Sequence, residues 1–288
     1  LVHKAILQSG GHAVQRPSTA TAIARHVTNQ VNVRPGDLDA LRQVPWRQFV
    51  DIYSGLQARV EWEQPQIYLP VLNEHMPVHP VDATHSGIGS NIDYLIGTCR
   101  DEMNLFALFM DLEGSQFERR AQQVFAAAGA RRSEVLARYQ QLRPDLDAQG
   151  CFNAAVGDMW FRMPALRIAE GHRRYSEKGT YVYLFEWSSP FIGAAHTLDL
   201  MVFGNGLPFS LLAGFAEYDK TAEFMRKAWV AFASSGSPEM AAQAWPAYGP
   251  GQATLSIDQS TSRLDQSYRQ QFPMLESIIS DSWQAAGL

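Results

Sequence analysis

Apolar residues cluster into short runs that alternate with amphipathic stretches. The first run, His3–Gln8 in "LVHKAILQSGG", reads as a strand closed by the turn residues Ser9-Gly10-Gly11. Thr19–Val31 carries Ile23, Val27 and Val31 at helical spacing. Asp37 can N-cap the short helix "DLDALRQV", which Pro45 stops. "PQIYLPVLNEHMPVHP" is irregular, because its prolines remove backbone donors. A buried strand around Ile92–Gly97 comes next and runs into Arg100, Asp101 and Glu102. Helical patterns then cover "QFERRAQQVFAAAG", "SEVLARYQQLRP" and Asp147 to about Tyr175, with Gly129 and Pro144 as punctuation. "GTYVYLFEWSS" is rich in the β-branched and aromatic residues that suit a pleated surface. After it come the loop "PFIGAAHTLDLMVFG", a helix "KTAEFMRKAWVAFASSG" with Gly236 past its end, the strand "ATLSID" and a closing helix to Trp283.

Strands separated by long helical inserts predict a mostly parallel α/β sheet with helices on both faces. No linker divides the chain, so residues 1–288 are expected to form a single domain.

Composition narrows the partners. A formal net charge of −5 and the lack of any Lys/Arg run exclude a basic nucleic-acid footprint. No apolar run reaches the roughly 18 residues needed to span a bilayer. Cys99 and Cys151 can form one bridge at most, and free buried thiols are expected. His75 and His79 are spaced as metal ligands on a helix, but Pro77 lies between them and no further ligand set is present, so no metal is expected. His3, His12, His26, His85 and His172 have no partner pattern and are expected on the surface or in loops.

Two strand ends carry candidate chemistry. An acid pair, Asp101-Glu102, follows one strand; His196 follows another, 94 residues beyond Glu102. A serine hydroxyl becomes a nucleophile only when a neighbouring imidazole takes its proton. A buried carboxylate behind that imidazole holds its tautomer and stabilises its charge. Spacing alone leaves a second reading open, a surface carboxylate and a satisfied loop histidine. Trp160, Phe161, Phe191, Met103 and Phe106 read first as core residues.

Four segments in order sharpen this. "KAILQSGG", "LIGTCRDEMNLF", "GAAHTLDLMVFG" and "AWVAFASSGSP…AWPAYGP" resemble the strand after the nucleophile helix, the acid turn, the histidine loop and the C-terminal helix with its Trp-Pro-x-Tyr segment of the type B carboxylesterases, the cholinesterase-like α/β-hydrolases in their bacterial branch. The resemblance covers essentially the whole chain. It implies an α/β-hydrolase fold, with the chain as the C-terminal part of its sheet and helical insertions after the acid strand. It also implies a carboxylic ester hydrolase working through a Ser-Glu-His triad and an acyl-enzyme, on a small-molecule ester and without a cofactor. Glu102 matches the triad acid and His196 the base. Ser9 is expected to support the carboxylate from behind. Phe106, Met110, Trp160 and Phe161 are expected to line the substrate pocket. The family also includes members that keep the fold, lose catalysis and act in adhesion. Cys99 stands where the family more often has a small polar residue.

One element of the family pattern is missing: no G-x-S-x-G occurs in the 288 residues. The elbow and the oxyanion-hole glycines are expected ahead of Leu1, and the chain is expected to be inactive alone. Ser9, flanked by Leu7 and Gly11 at the two key positions, only half matches an elbow.

Overall fold

The computed structural model is described for residues 2–11, 13–57, 68–108, 132–204, 207–214, 217–241, 244–258 and 262–265, with Pro273 and Glu276. The segment "QFERRAQQVFAAAG" and the closing helix to Trp283 lie outside the described residues.

Two compact units are present: residues 1–12 with 80–288, and residues 13–79. The smaller contains three helices, α1 (Pro17–Gln30), α2 (Leu38–Gln43) and α3 (Trp46–Gln57). Asp37 caps α2 as expected, its side chain accepting from the Ala40 N–H at 2.9 Å. Pro45 ends α2 but also precedes a new helix, α3, that the sequence pattern did not predict. A proline tolerated just ahead of a first turn can both stop one helix and lead into the next.

The larger unit is built on a five-stranded sheet in the order β1 (Lys4–Gln8), β2 (Asp93–Cys99), β3 (Thr180–Phe185), β4 (Thr254–Ile257), β5 (Ser262–Asp265). The first four strands are parallel and β5 returns antiparallel, an addition the sequence pattern did not predict. Around the sheet come α4 (Pro80–His85), α5 (Met103–Ala107), α6 (Arg132–Leu142), α7 (Ala148–Gly157), α8 (Met163–Tyr175), α9 (Leu207–Leu212) and α10 (Asp219–Ser235).

Side chains alternate across the strands, so both faces need cover. Leu95, Cys99, Tyr183, Phe185, Leu255 and Ile257 pack with Met225, Trp229 and Phe232 of α10. Ile96 and Val182, on the opposite face, pack with Val81 of α4 and with Ala165 and Ile168 of α8. A sheet covered on both sides has near-continuous apolar strands, and from Leu95 to Cys99 every residue of β2 is buried. Cys99 and Cys151 are both free and buried.

α7 and α8 are joined by a π-helical turn, Asp158–Arg162, in what reads from sequence as one long helix. Asp158 and Arg162 are buried and paired at 2.6 Å, and Tyr139 donates to Asp158 at 2.6 Å. The turn also carries Trp160 and Phe161.

His172 departs from expectation. It is buried in α8, stacked on Tyr94 with centroids 4.2 Å apart, and its Nδ1 meets the Thr180 hydroxyl at 2.7 Å. Burial is the main influence on it and holds the imidazole below its ordinary pKa. His85 sits on α4 with Nε2 at 3.0 Å from the Arg167 carbonyl. Phe191, expected in the core, is 76% exposed.

Candidate active site

β1, β2 and β3 end side by side, and the candidate side chains stand just past those ends. Gln8 pairs with Gly97, and Cys99 with Phe185, so the residues just past each strand reach the same edge of the sheet.

Ser9 leaves β1 with φ of 54°, a left-handed conformation uncommon outside glycine and asparagine. Its hydroxyl donates to Glu102 Oε1 at 2.5 Å. The Cys99 backbone N–H donates to the same oxygen at 2.7 Å. Glu102 itself is only 1% exposed. Its other oxygen, Oε2, lies 2.5 Å from His196 Nδ1. The contact with Nδ1 leaves Nε2 facing away from the acid, and among the described residues no hydrogen bond occupies it.

His196 rides on the loop between β3 and a 3₁₀ turn, Leu198–Phe203. Ser189 and Gly193 exchange backbone hydrogen bonds of 3.0 Å in both directions, which closes the loop. Thr197, next to the histidine, has φ of 74°, strained for a β-branched residue. The Phe106 and Phe161 rings each lie 5.1 Å from the imidazole centroid, tilted by 37° and 43°. Of the four expected pocket residues these two therefore touch the site. Trp160 is half-buried on the π-helical turn, and Met110 lies outside the described residues.

Burial is the largest influence on His196 and would lower its pKa. The hydrogen bond and charge of Glu102, with a smaller contribution from Asp199, outweigh it, and the imidazole is held above its ordinary value.

Asp199 is the residue that sequence reasoning missed. It is 1% exposed and accepts hydrogen bonds from Gln8 Nε2 at 3.0 Å and the Tyr183 hydroxyl at 2.8 Å. Burial, the main cause, holds its carboxyl above the usual range despite those bonds. A signal existed: an acid three residues after the histidine, set within the apolar run "LDLMVF", is placed one helical turn on and facing inward.

Asp101 faces away from the imidazole, as one acid behind one ring requires. It is nevertheless buried rather than solvated, held by Arg100 at 2.8 Å and Arg143 at 3.3 Å. Burial would raise its pKa, but the bonds and charges of the arginines, with the Ala194 N–H, bring it below the usual carboxylate range.

With this geometry in view, comparison with known proteins decides the family. The carboxylesterase family model matches residues 1–274. The chain belongs to the carboxylesterase family. It is 28% identical over 257 residues to the para-nitrobenzyl esterase of Bacillus subtilis, covering 86% of this chain and 51% of that protein. It is 29% identical over 259 residues to the phenmedipham hydrolase of Pseudarthrobacter oxydans, covering 83% and 50% respectively. Among solved structures, a Geobacillus stearothermophilus carboxylesterase superposes with a TM-score of 0.75 at 25% identity, over 96% of this chain and 58% of that one. The fold is the α/β-hydrolase fold, as the sequence resemblance implied. The carboxylesterase chain spans about half the length of these relatives.

Proposed function

We propose that this chain carries the base and the orienting acid of a serine carboxylesterase, His196 and Glu102, and that the nucleophilic serine and oxyanion donors come from residues outside Leu1–Leu288. The observation that carries the reading is the buried Glu102 carboxylate. One oxygen is 2.5 Å from His196 Nδ1, and the other is fixed by Ser9 and the Cys99 N–H. The absence of G-x-S-x-G and the half-length match to the esterases support the placement of the serine.

In this reaction the free Nε2 of His196 takes the serine proton as the hydroxyl oxygen attacks the ester carbonyl. The tetrahedral intermediate collapses, His196 returns the proton to the departing alcohol, and the acyl group stays on serine. A water deprotonated by the same Nε2 then releases the acid and regenerates the serine. Throughout, Glu102 keeps the ring's proton on Nδ1 and stabilises the imidazolium.

The Phe106 and Phe161 rings beside His196 favour an uncharged ester with apolar or aromatic groups. A fold kept only for binding has no need of a buried carboxylate held in this register behind an imidazole, so that reading has the weaker support.

The test is hydrolysis of p-nitrophenyl acetate by the protein that joins this chain to the residues encoded ahead of Leu1. Turnover is expected there, with a loss of about 10³-fold or more in kcat for His196→Ala and Glu102→Gln. The 288-residue chain alone is expected to show only background. Burst kinetics from the isolated chain, or full activity in His196→Ala, contradicts the reading.

A further inference from the structure

The acid turn contains two carboxylates, and the triad uses one. Asp101 lies in contact with the histidine loop at several points. Its backbone N–H donates to the Ala194 carbonyl at 2.9 Å, and its Oδ2 accepts the Ala194 N–H at 2.9 Å. The two bonds form a closed pair between the turn and the residue two before His196. Gly193 presses against the same carboxylate: with φ of 66°, a Cβ there would stand 2.6 Å from Asp101 Oδ2. One turn further on, Asn104 Nδ2 donates to the Ile192 carbonyl at 3.1 Å. The carboxylate is held in turn from outside. Arg100 reaches it through Nε and Nη2, at 3.1 and 2.8 Å, and Arg143, just past α6, at 3.3 Å. Arg100 Nη2 also donates to Ser188 at the start of the loop, at 2.8 Å.

The loop needs such a restraint. Thr197 is held in a left-handed conformation that is strained for a β-branched residue and persists only when its surroundings over-determine it. Downstream of Thr197 the chain is tied to the sheet through Asp199, which accepts from Gln8 Nε2 at 3.0 Å and from the Tyr183 hydroxyl at 2.8 Å. Upstream, Asp101 and Asn104 connect Ile192 and Ala194 to the acid turn itself. Glu102 and the loop carrying His196 thus share one anchor, set one residue from the acid and two from the base.

Resting on the triad reading above, we propose that Asp101 is a positioning residue. Its carboxylate clamps the histidine loop to the acid turn at Ala194, and so sets the Glu102–His196 contact without touching either side chain.

The test is NMR on this chain, tracking the strongly downfield His196 Nδ1–H resonance and the titration of the imidazole. Glu102→Gln assigns the resonance. With the clamp, Asp101→Ala loses the resonance and titrates at lower pH, while the His172 signals and far-UV circular dichroism stay as in the parent. Asp101→Asn retains an acceptor for the Ala194 N–H and recovers part of the resonance. If Asp101→Ala does not fold, Gly193→Ala carries the test, since a Cβ there would stand 2.6 Å from Asp101 Oδ2 and drive the carboxylate off the Ala194 N–H. Loss of the resonance in that folded variant is the expected result. A parent chain whose His196 signals do not respond to Glu102→Gln overturns the triad reading and the clamp together. A parent that responds, with the resonance intact in Asp101→Ala or in a folded Gly193→Ala variant, overturns the clamp alone.

Discussion

Glu102 has both oxygens committed inside the protein, and this sets the behaviour of its neighbours. Ser9 and the Cys99 N–H satisfy one oxygen and leave the other to His196. Ser9→Ala removes a bond to a charged, buried acceptor and is expected to destabilise the chain by about 1.5–3 kcal/mol in denaturant titration. A loss near zero means the carboxylate does not depend on the hydroxyl. The raised pKa of His196 has two consequences of opposite direction. Protonated His196 favours the folded state, so its contribution to stability is fully present below its ordinary value of about 6.5 and fades as pH rises through its raised folded value. Catalysis needs the neutral ring, so the acidic limb of the pH–rate profile is expected above that ordinary value. Glu102→Gln removes the chief raising influence and leaves burial to act, so the imidazole is expected to titrate lower in that variant. A midpoint that stays put counts against the pair. The residues of this pair were legible from the order of local motifs. Asp199 was legible only as an acid facing inward from an apolar run; its partners Gln8 and Tyr183 were not, because only the folded sheet brings them to it.

At the scale of elements, the alignment of the β2 and β3 ends depends on a side chain of one strand lying over a glycine of the other. Gly97 faces the Tyr183 ring across the sheet, and a Cβ there would meet ring carbons at 2.1–2.2 Å. Gly97→Ala is therefore expected to cost about 3 kcal/mol, the upper end for overpacking, and to displace the Tyr183 hydroxyl from Asp199. A stability unchanged by that substitution shows that the sheet relaxes freely at this point. Period and composition made β1 to β4 and α10 readable, since each sets apolar side chains against the core, only half-buried ones in β1. The π-helical turn was hidden because its sequence, "DMWFR", keeps the apolar spacing of a helix. Its extra residue per turn shows only in backbone hydrogen bonds, yet it carries Phe161 to the imidazole. β5 was missed for a related reason, being a four-residue strand, "SRLD", without apolar alternation.

For the whole molecule, the sheet order leaves β1 paired on one side only among the described residues. A parallel strand of that kind, "KAILQ", is a template for wrong pairing when nothing covers it. The chain alone is expected to aggregate on heating, and a sharp, reversible, monomeric transition contradicts this. The most direct test of the central claim, that Glu102 and His196 are the acid and base of a serine esterase, is covalent labelling. A fluorophosphonate is applied to the protein that joins this chain to the residues encoded ahead of Leu1, and the modified residue is located by mass spectrometry. The label is expected on a serine outside residues 1–288, with labelling slowed by orders of magnitude in His196→Ala and in Glu102→Gln. A label on a serine within this chain, or a labelling rate untouched by His196→Ala, contradicts the claim.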